Sequence, residues 1–500
     1  MRAVRWIFGL AAAVGIALSL WQLNSARAGL VITQGSVAGT PVTYHHRADA
    51  TPAPVVVIAH GFAGSRQLMQ PFALTLAQAG YLAVSFDFEG HGRNPTPMSG
   101  DVTQIDGTTR LLMAEVGRVA DAALAHPMAD GRLALLGHSM ASDIVVRQGI
   151  ADARTGAVVA VSMFSQAVTA DAPPNLLIIA GEWETRLKEE ALRALHLAEP
   201  SAGFADTVGN MQAGDARRAV FAPSVEHVGV LYSATSLREA RAWLDAAFGR
   251  DRAEAAPVAA TGGWIALLLL SVAALGWPLA GLLPKGGTPP PRLSARRFWI
   301  AAAGPALLVP LVLWPFETRV LPVLVADYLA LHFALQGGLT LAFLMLWGQL
   351  RGQFPPRVWW MAALAALFGV VLFGGALDTH VASFFPHAGR VPVVLALIAG
   401  AVPFMLADAV LTEGGRAGLW RVLVVRIALL LSLALAVALN FERLFFLVII
   451  LPVIVLFFLL FGTMGGWVGR RTALPAAGGI GLGVVLGWAL GVTFPMFVLP

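Results

Sequence analysis

Leu135-Leu136-Gly137-His138-Ser139-Met140-Ala141 is the stretch that decides how this chain is read. The apolar run Arg132–Gly137 predicts a strand, and Met140–Ala151 predicts the helix that follows it directly. A serine held in so short a strand-to-helix turn needs small residues two positions to either side, because the two backbones pass close together there. Its hydroxyl then projects over the end of the strand, at the start of a helix. The pattern is G-x-S-x-G with Ala141 in place of the last glycine, and one added methyl leaves the turn feasible. In a chain with 52 glycines the pattern alone is weak. The strand before it and the helix after it give it weight.

Outward from this turn, short β-branched runs alternate with helical patterns. Leu30–Thr33 and Pro41–His45 read as an opening hairpin. Pro54–His60, Tyr81–Asp87, Ala157–Met163, Leu176–Ala180 and Arg218–Ala222 read as further strands. Helices are expected at Gln67–Gly80, Thr108–Ala125, Thr185–Leu197 and Ser236–Phe248. The near-continuous apolar character of Pro54–His60 suits a strand covered on both faces. The alternation predicts an α/β class fold, a doubly wound and mostly parallel sheet, with reactive groups at the carboxyl ends of its strands.

Chemistry-bearing residues fall at those strand ends. An uncharged serine is a poor nucleophile and needs a base. Of the histidines at strand ends or turns, namely His60, His91, His138 and His227, only His227 follows the last strand and precedes the closing helix. The order serine, acid, histidine selects His227 as base. The acid is then expected after Leu176–Ala180, in Gly181-Glu182-Trp183-Glu184. Glu184 is preferred, Glu182 is the alternative and Asp171 a more distant one. The turn His60-Gly61-Phe62-Ala63-Gly64 can aim backbone N–H groups at a developing oxyanion, which assigns one donor to Phe62 and the other to Met140. Asp87–Arg93 reads as a structural turn bordering the cleft.

Residues of about 50 to 250 resemble the α/β-hydrolase family, in the branch of small esterases, lipases and related serine peptidases. The resemblance implies Ser139 as nucleophile, His227 as base, Glu184 as acid and the Phe62 and Met140 amides as oxyanion hole. Two departures stand out: Ala141 at the second elbow glycine, and a glutamate where aspartate is commoner. The segment between the sixth strand and the acid strand, Phe164–Asn175, is too short for a helical cap. The later insertion Glu199–Ala216 is expected on the rim of an open cleft.

Composition divides the chain. Hydrophobic residues make up 57% and charged residues 13%, about half the charged share of an ordinary soluble domain. Residues 30–250 carry a normal charge mixture, residues 251–262 read as a linker, and residues 263–500 are mostly long apolar runs. Eight runs reach the length of about 20 residues that a spanning helix needs: 263–283, 298–316, 321–347, 358–376, 391–412, 420–439, 442–466 and 475–497. A ninth, 6–22, follows Arg2 and Arg5. With Ala26-Arg27-Ala28 behind it, residues 1–28 read as a signal peptide or a retained anchor, the anchor being preferred in a polytopic chain. With the N-terminus in the cytoplasm, basic residues split twelve to three in favour of cytoplasmic loops. Residues 30–250 are then expected on the periplasmic or extracellular side. Asp408 and Arg426 suggest a structural ion pair near the cytoplasmic ends of two spans. Asp327, His332, Asp378, His380 and His387 lie toward the outer side, as water-wetted interfacial residues in the preferred reading or a polar floor in the other. No small-residue helix-packing motif is evident.

These features imply an integral membrane serine hydrolase acting on a carboxylic ester through an acyl-enzyme. The substrate is expected to be a small-molecule or lipid ester, with membrane lipid as a partner. The alternatives are a serine peptidase, or a non-catalytic hydrolase-like accessory of a membrane transporter. The formal charge of +5 does not indicate nucleic acid, because the basic residues sit in loops between apolar runs. The absence of cysteine excludes disulfides and thiol catalysis. With no metal-ligand spacing and no nucleotide fingerprint, no metal or cofactor is expected.

Overall fold

A computed structural model describes residues 2–99, 101, 105–250, 257–317 and 319–499. Residues 251–256 of the expected linker lie outside the described residues. A helix, α1 (Arg2–Ser25), leads into strands β1 (Leu30–Val37), β2 (Thr40–Arg47) and β3 (Ala53–Ala59). Then come α2 (Gln70–Gln78), β4 (Leu82–Phe86), α3 (Arg110–Leu124), β5 (Ala129–His138), α4 (Met140–Ala151), β6 (Thr155–Val161), β7 (Leu176–Gly181) and α5 (Thr185–His196). The short β8 (Thr207–Val208), β9 (Arg217–Ala222) and α6 (Ala234–Ala247) complete this half. The sheet order is β1-β2-β4-β3-β5-β6-β7-β9-β8. The six strands from β4 to β9 run parallel, and antiparallel pairings sit at both edges. This is the α/β hydrolase fold. Beyond the strands read from sequence it adds β8, two residues long and too short to leave a pattern.

The strand alternation sorts side chains into two cores. Val55, Val57 and Ala59 of β3 pack under α3, α4 and α5. Val56 and Ile58 pack under α2 and α6. All five are fully buried, which contributes about 1.5–3 kcal/mol for each Val or Ile side chain. A core on each face fixes the register of β3 and of its neighbour β5, and so fixes where Ser139 emerges.

The second half is helical. Nine helices among the described residues are long and apolar enough to cross a membrane: Ala3–Ser25, Gly262–Ala280, Ala295–Leu313, Ala326–Leu346, Arg357–His380, Ala388–Leu411, Leu419–Leu439, Phe446–Thr472 and Pro475–Thr493. They follow the nine apolar runs of the sequence. One expectation is corrected. Gly479, Gly483, Gly487 and Gly491 recur every fourth residue along the last helix. A Cβ on any of them would collide with Leu406, Val402, Ile398 or Val394 of Ala388–Leu411. This is a small-residue packing stripe, and it draws the two most buried helices of the set into backbone contact.

The two halves meet at one end of the helices. Arg93 forms a 2.6 Å ion pair with Asp378. Arg390 is 1% exposed and donates to the Gly90 carbonyl at 2.9 Å. Met496 and Val498 form hydrogen bonds with Gly90 and Met98, and Phe497 is buried among the side chains under α3 and α4. Asp87–Arg93 is a turn, as its sequence suggested, but it does not border the cleft beside Ser139, whose lining among the described residues includes none of its own; its outer surface is this seam. The interfacial reading of the polar residues needs correction at three positions. Asp378 is joined to the other half, His380 is buried, and His332 is fully buried, bonded to Gln336 and Ser432.

Candidate active site

β5 ends at His138 and α4 begins at Met140, which leaves Ser139 alone in the turn with φ 56° and ψ −120°. A non-glycine residue at positive φ stores strain that the surrounding structure must hold. Here the hold is close packing. A Cβ at Gly137 would strike the Ala141 carbonyl, and one at Gly61 would lie 2.9 Å from the Ser139 Cβ. Ala141 is fully buried without disturbing the turn.

Three groups form a chain of hydrogen bonds. The Ser139 hydroxyl donates to His227 Nε2 at 2.8 Å. His227 Nδ1–H donates to Glu184 Oε1 at 2.5 Å. The far oxygen, Oε2, accepts from the Gly181 amide at 2.5 Å and the Ser162 hydroxyl at 2.8 Å. Burial by itself would raise the pKa of the Glu184 carboxyl. The bonds from His227, Gly181 and Ser162 outweigh it and hold that pKa below the ordinary value, so the acid stays ionised. Glu182 is turned elsewhere and accepts the Ser224 amide at 2.6 Å. Asp171 accepts the Thr169 hydroxyl at 3.0 Å.

The other three histidines have structural partners. His60 donates from Nδ1 to the Gly61 carbonyl at 2.8 Å and accepts the Phe88 amide at Nε2 at 3.1 Å, which fixes its neutral tautomer. His138 donates from Nε2 to the His227 carbonyl at 2.9 Å and so holds the loop that carries His227. Burial, then the neighbouring His227, pushes the His138 pKa down to about 3. Burial, then His60, pushes that of His91 down to about 3.

A cleft of about 480 Å³ opens beside Ser139, lined by Phe62, Met140, Leu112, Phe164, His227 and Phe446 among others. Met140 is the first residue of α4, where amides lack intrahelical acceptors, and Phe62 lines the same cleft. The expected rim is corrected: among the described residues, Glu199–Ala216 contributes nothing to the lining. The segment folds back over the sheet edge, where β8 pairs with β9. Its place at the cleft is taken by Phe446, which begins a helix of the other half and packs on Phe62 with ring centroids 5.7 Å apart. No local signal marks Phe446 in the sequence.

Residues 50–202 match the family model described as serine aminopeptidase, S33, a stretch that contains Ser139 and Glu184 and stops before His227. Residues 30–250 have the α/β hydrolase fold. Among solved structures, the chain is similar to a Pyrobaculum calidifontis esterase at 15% identity, covering 49% of this chain and 92% of that one, with a TM-score of 0.34. It is also similar to TT1662 from Thermus thermophilus at 18% identity, covering 45% of this chain and 99% of that one, with a TM-score of 0.32. No curated protein matches the chain.

Proposed function

We propose that the protein is a multi-pass membrane serine hydrolase that cleaves a carboxylic ester of a membrane-resident molecule. The observation that carries this reading is the unbroken hydrogen-bonded chain from Ser139 through His227 to Glu184. As the Ser139 oxygen attacks the ester carbonyl carbon, His227 takes its proton, and Glu184 stabilises the imidazolium. The amides of Phe62 and Met140 hold the resulting oxyanion. Collapse expels the alcohol, which takes the proton back from His227 and leaves Ser139 acylated. Water activated by the same histidine then attacks the acyl carbon, releases the carboxylic acid and restores the serine.

The basic-residue split supports an active site on the periplasmic or extracellular side. Phe446 supports a substrate drawn from the bilayer, since the helix it begins is long and apolar enough to cross a membrane. The family description favours a second reading, an aminopeptidase. A peptide's free ammonium needs an available carboxylate. Asp143, which lines the cleft, is already engaged by Arg147 at 2.8 Å and by the Ser165 hydroxyl at 2.6 Å, so the ester reading is preferred.

The test is labelling of the full-length protein in membranes with a fluorophosphonate probe, followed by turnover of p-nitrophenyl esters and aminoacyl p-nitroanilides. Labelling lost in Ser139→Ala and His227→Ala, with esters turned over faster than anilides, is the expected result. A folded wild type that takes no label would overturn the serine mechanism, and faster anilide turnover would favour the peptidase.

A further inference from the structure

Two cavities in the helical half share a wall made by Gly465, Gly478 and Leu482. One is apolar, about 650 Å³, and is lined by residues such as Leu364, Phe368 and Val468. The other, about 320 Å³, is lined by Asp408, Thr412, Arg426, Arg470 and several glycines. Both lie away from the cleft at Ser139. Along the helix that begins at Phe446, Gly466 is about 30 Å from the end that touches the hydrolase, at 1.5 Å per residue. A ligand here is therefore not the substrate in the cleft, and the inference stands independently of the hydrolase reading. It requires only that the helices sit in a bilayer.

The polar cavity is built around two guanidinium groups. Arg426 lies 4.9 Å over the Phe458 ring and passes Gly462, where a Cβ would come within 2.6 Å of its Nη2. Arg470 passes Gly415 and Gly466, where a Cβ would come within 2.8 and 3.0 Å of its Nη1. At these positions a side chain would displace the arginines. The one carboxylate in the lining, Asp408, is 5% exposed and forms the ion pair with Arg426 expected from the sequence, at 3.8 Å and without a hydrogen bond. Asp408 Oδ1 and Arg426 Nε both lack a hydrogen-bond partner. A buried pair whose polar atoms stay unmatched is costly, and a structural role alone would favour direct contact. Two cations face one anion, so the cavity suits a group with net negative charge at one end and a hydrogen-bond donor at the other. The apolar cavity behind the shared wall suits a hydrocarbon tail.

We propose that these cavities hold one membrane phospholipid. Its phosphodiester sits on Arg426 and Arg470, a headgroup ammonium or hydroxyl donates to Asp408, and an acyl chain lies in the apolar cavity. The test uses full-length protein reconstituted in vesicles of phosphatidylethanolamine and phosphatidylglycerol, extracted in mild detergent and weighed by native mass spectrometry. Wild type is expected to retain one phospholipid. Arg426→Gln and Arg470→Gln should lower its occupancy at least tenfold. Leu364→Trp, which fills the apolar cavity and leaves every charge in place, should lower it as well and serves if the arginine variants do not fold. Equal retention in folded Arg426→Gln and Leu364→Trp would overturn the proposal. So would displacement of the lipid by inorganic phosphate alone, or equal retention of diacylglycerol, which has no phosphate.

Discussion

At the residue scale, two carboxylates one and three positions after Gly181 show how far local geometry divides similar groups. Glu184 meets His227 while Glu182 meets a backbone amide. Glu184→Gln is expected to lower kcat by about 10³–10⁴-fold, because the amide misorients the imidazole and no longer balances its charge. Glu182→Gln should stay near wild type, and steady-state kinetics on one ester separates the two. Glu115, which nothing in the sequence singles out, is a second case. It is fully buried beneath the Asp87–Arg93 turn and accepts from Thr40 at 2.6 Å, the Glu89 amide at 2.9 Å and Asn94 at 3.0 Å. Burial, against those hydrogen bonds, pushes its pKa from the ordinary 4.5 up to about 7. The folded state then keeps a proton that the unfolded chain releases. The stability it contributes is full below pH 4.5 and is lost as the pH rises to about 7, with a slope of at most about 1.4 kcal/mol per pH unit. Glu115→Gln should flatten that slope, as measured by thermal unfolding between pH 5 and 8.

At the element scale, what was legible depended on whether the deciding contacts were local. The Ser139 turn could be read because strand, serine and helix are contiguous. His227 and Glu184 could be placed because chain order maps onto strand order in a parallel sheet. The glycine stripe of Pro475–Thr493 was present in the sequence as a four-residue spacing, yet its meaning depends on the partner helix Ala388–Leu411, which the sequence does not identify. Gly483→Leu is expected to force the two backbones apart and destabilise the helical half by about 1–3 kcal/mol or more. Faster loss of the folded protein on heating in detergent would register it. A surface-facing change such as Leu395→Ala, at a position 59% exposed on the partner helix, should have little effect.

At the scale of the whole molecule, the seam between the halves is what the sequence could not convey. Phe446 and Phe62 are distant in the chain, and no periodicity in either neighbourhood signals that they share a cleft. The expectation that Glu199–Ala216 forms the rim failed for the same reason, since a cleft wall supplied by another half leaves no trace in the sequence around Ser139, Glu184 or His227. Phe446→Ala is expected to lower kcat/KM for a long-chain ester presented in vesicles by about tenfold or more, the effect of one missing apolar wall. Turnover of a short soluble ester should change much less. Equal losses on both substrates would mean that Phe446 supports the fold of the cleft and not its choice of substrate.

The seam also sets a timetable. Phe497 belongs to the packed interior beside α3 and α4, and Met496 and Val498 bond to Gly90 and Met98. The ribosome makes Met98 early and Phe497 only after every spanning candidate has been synthesised. At roughly 5–20 residues per second, the stretch of about 400 residues between them takes tens of seconds. Through that interval the half built on the sheet lacks one of its buried core side chains. Its completion is thus tied to the arrival of the helices beside it, and a copy whose helices go astray is left with that interior open.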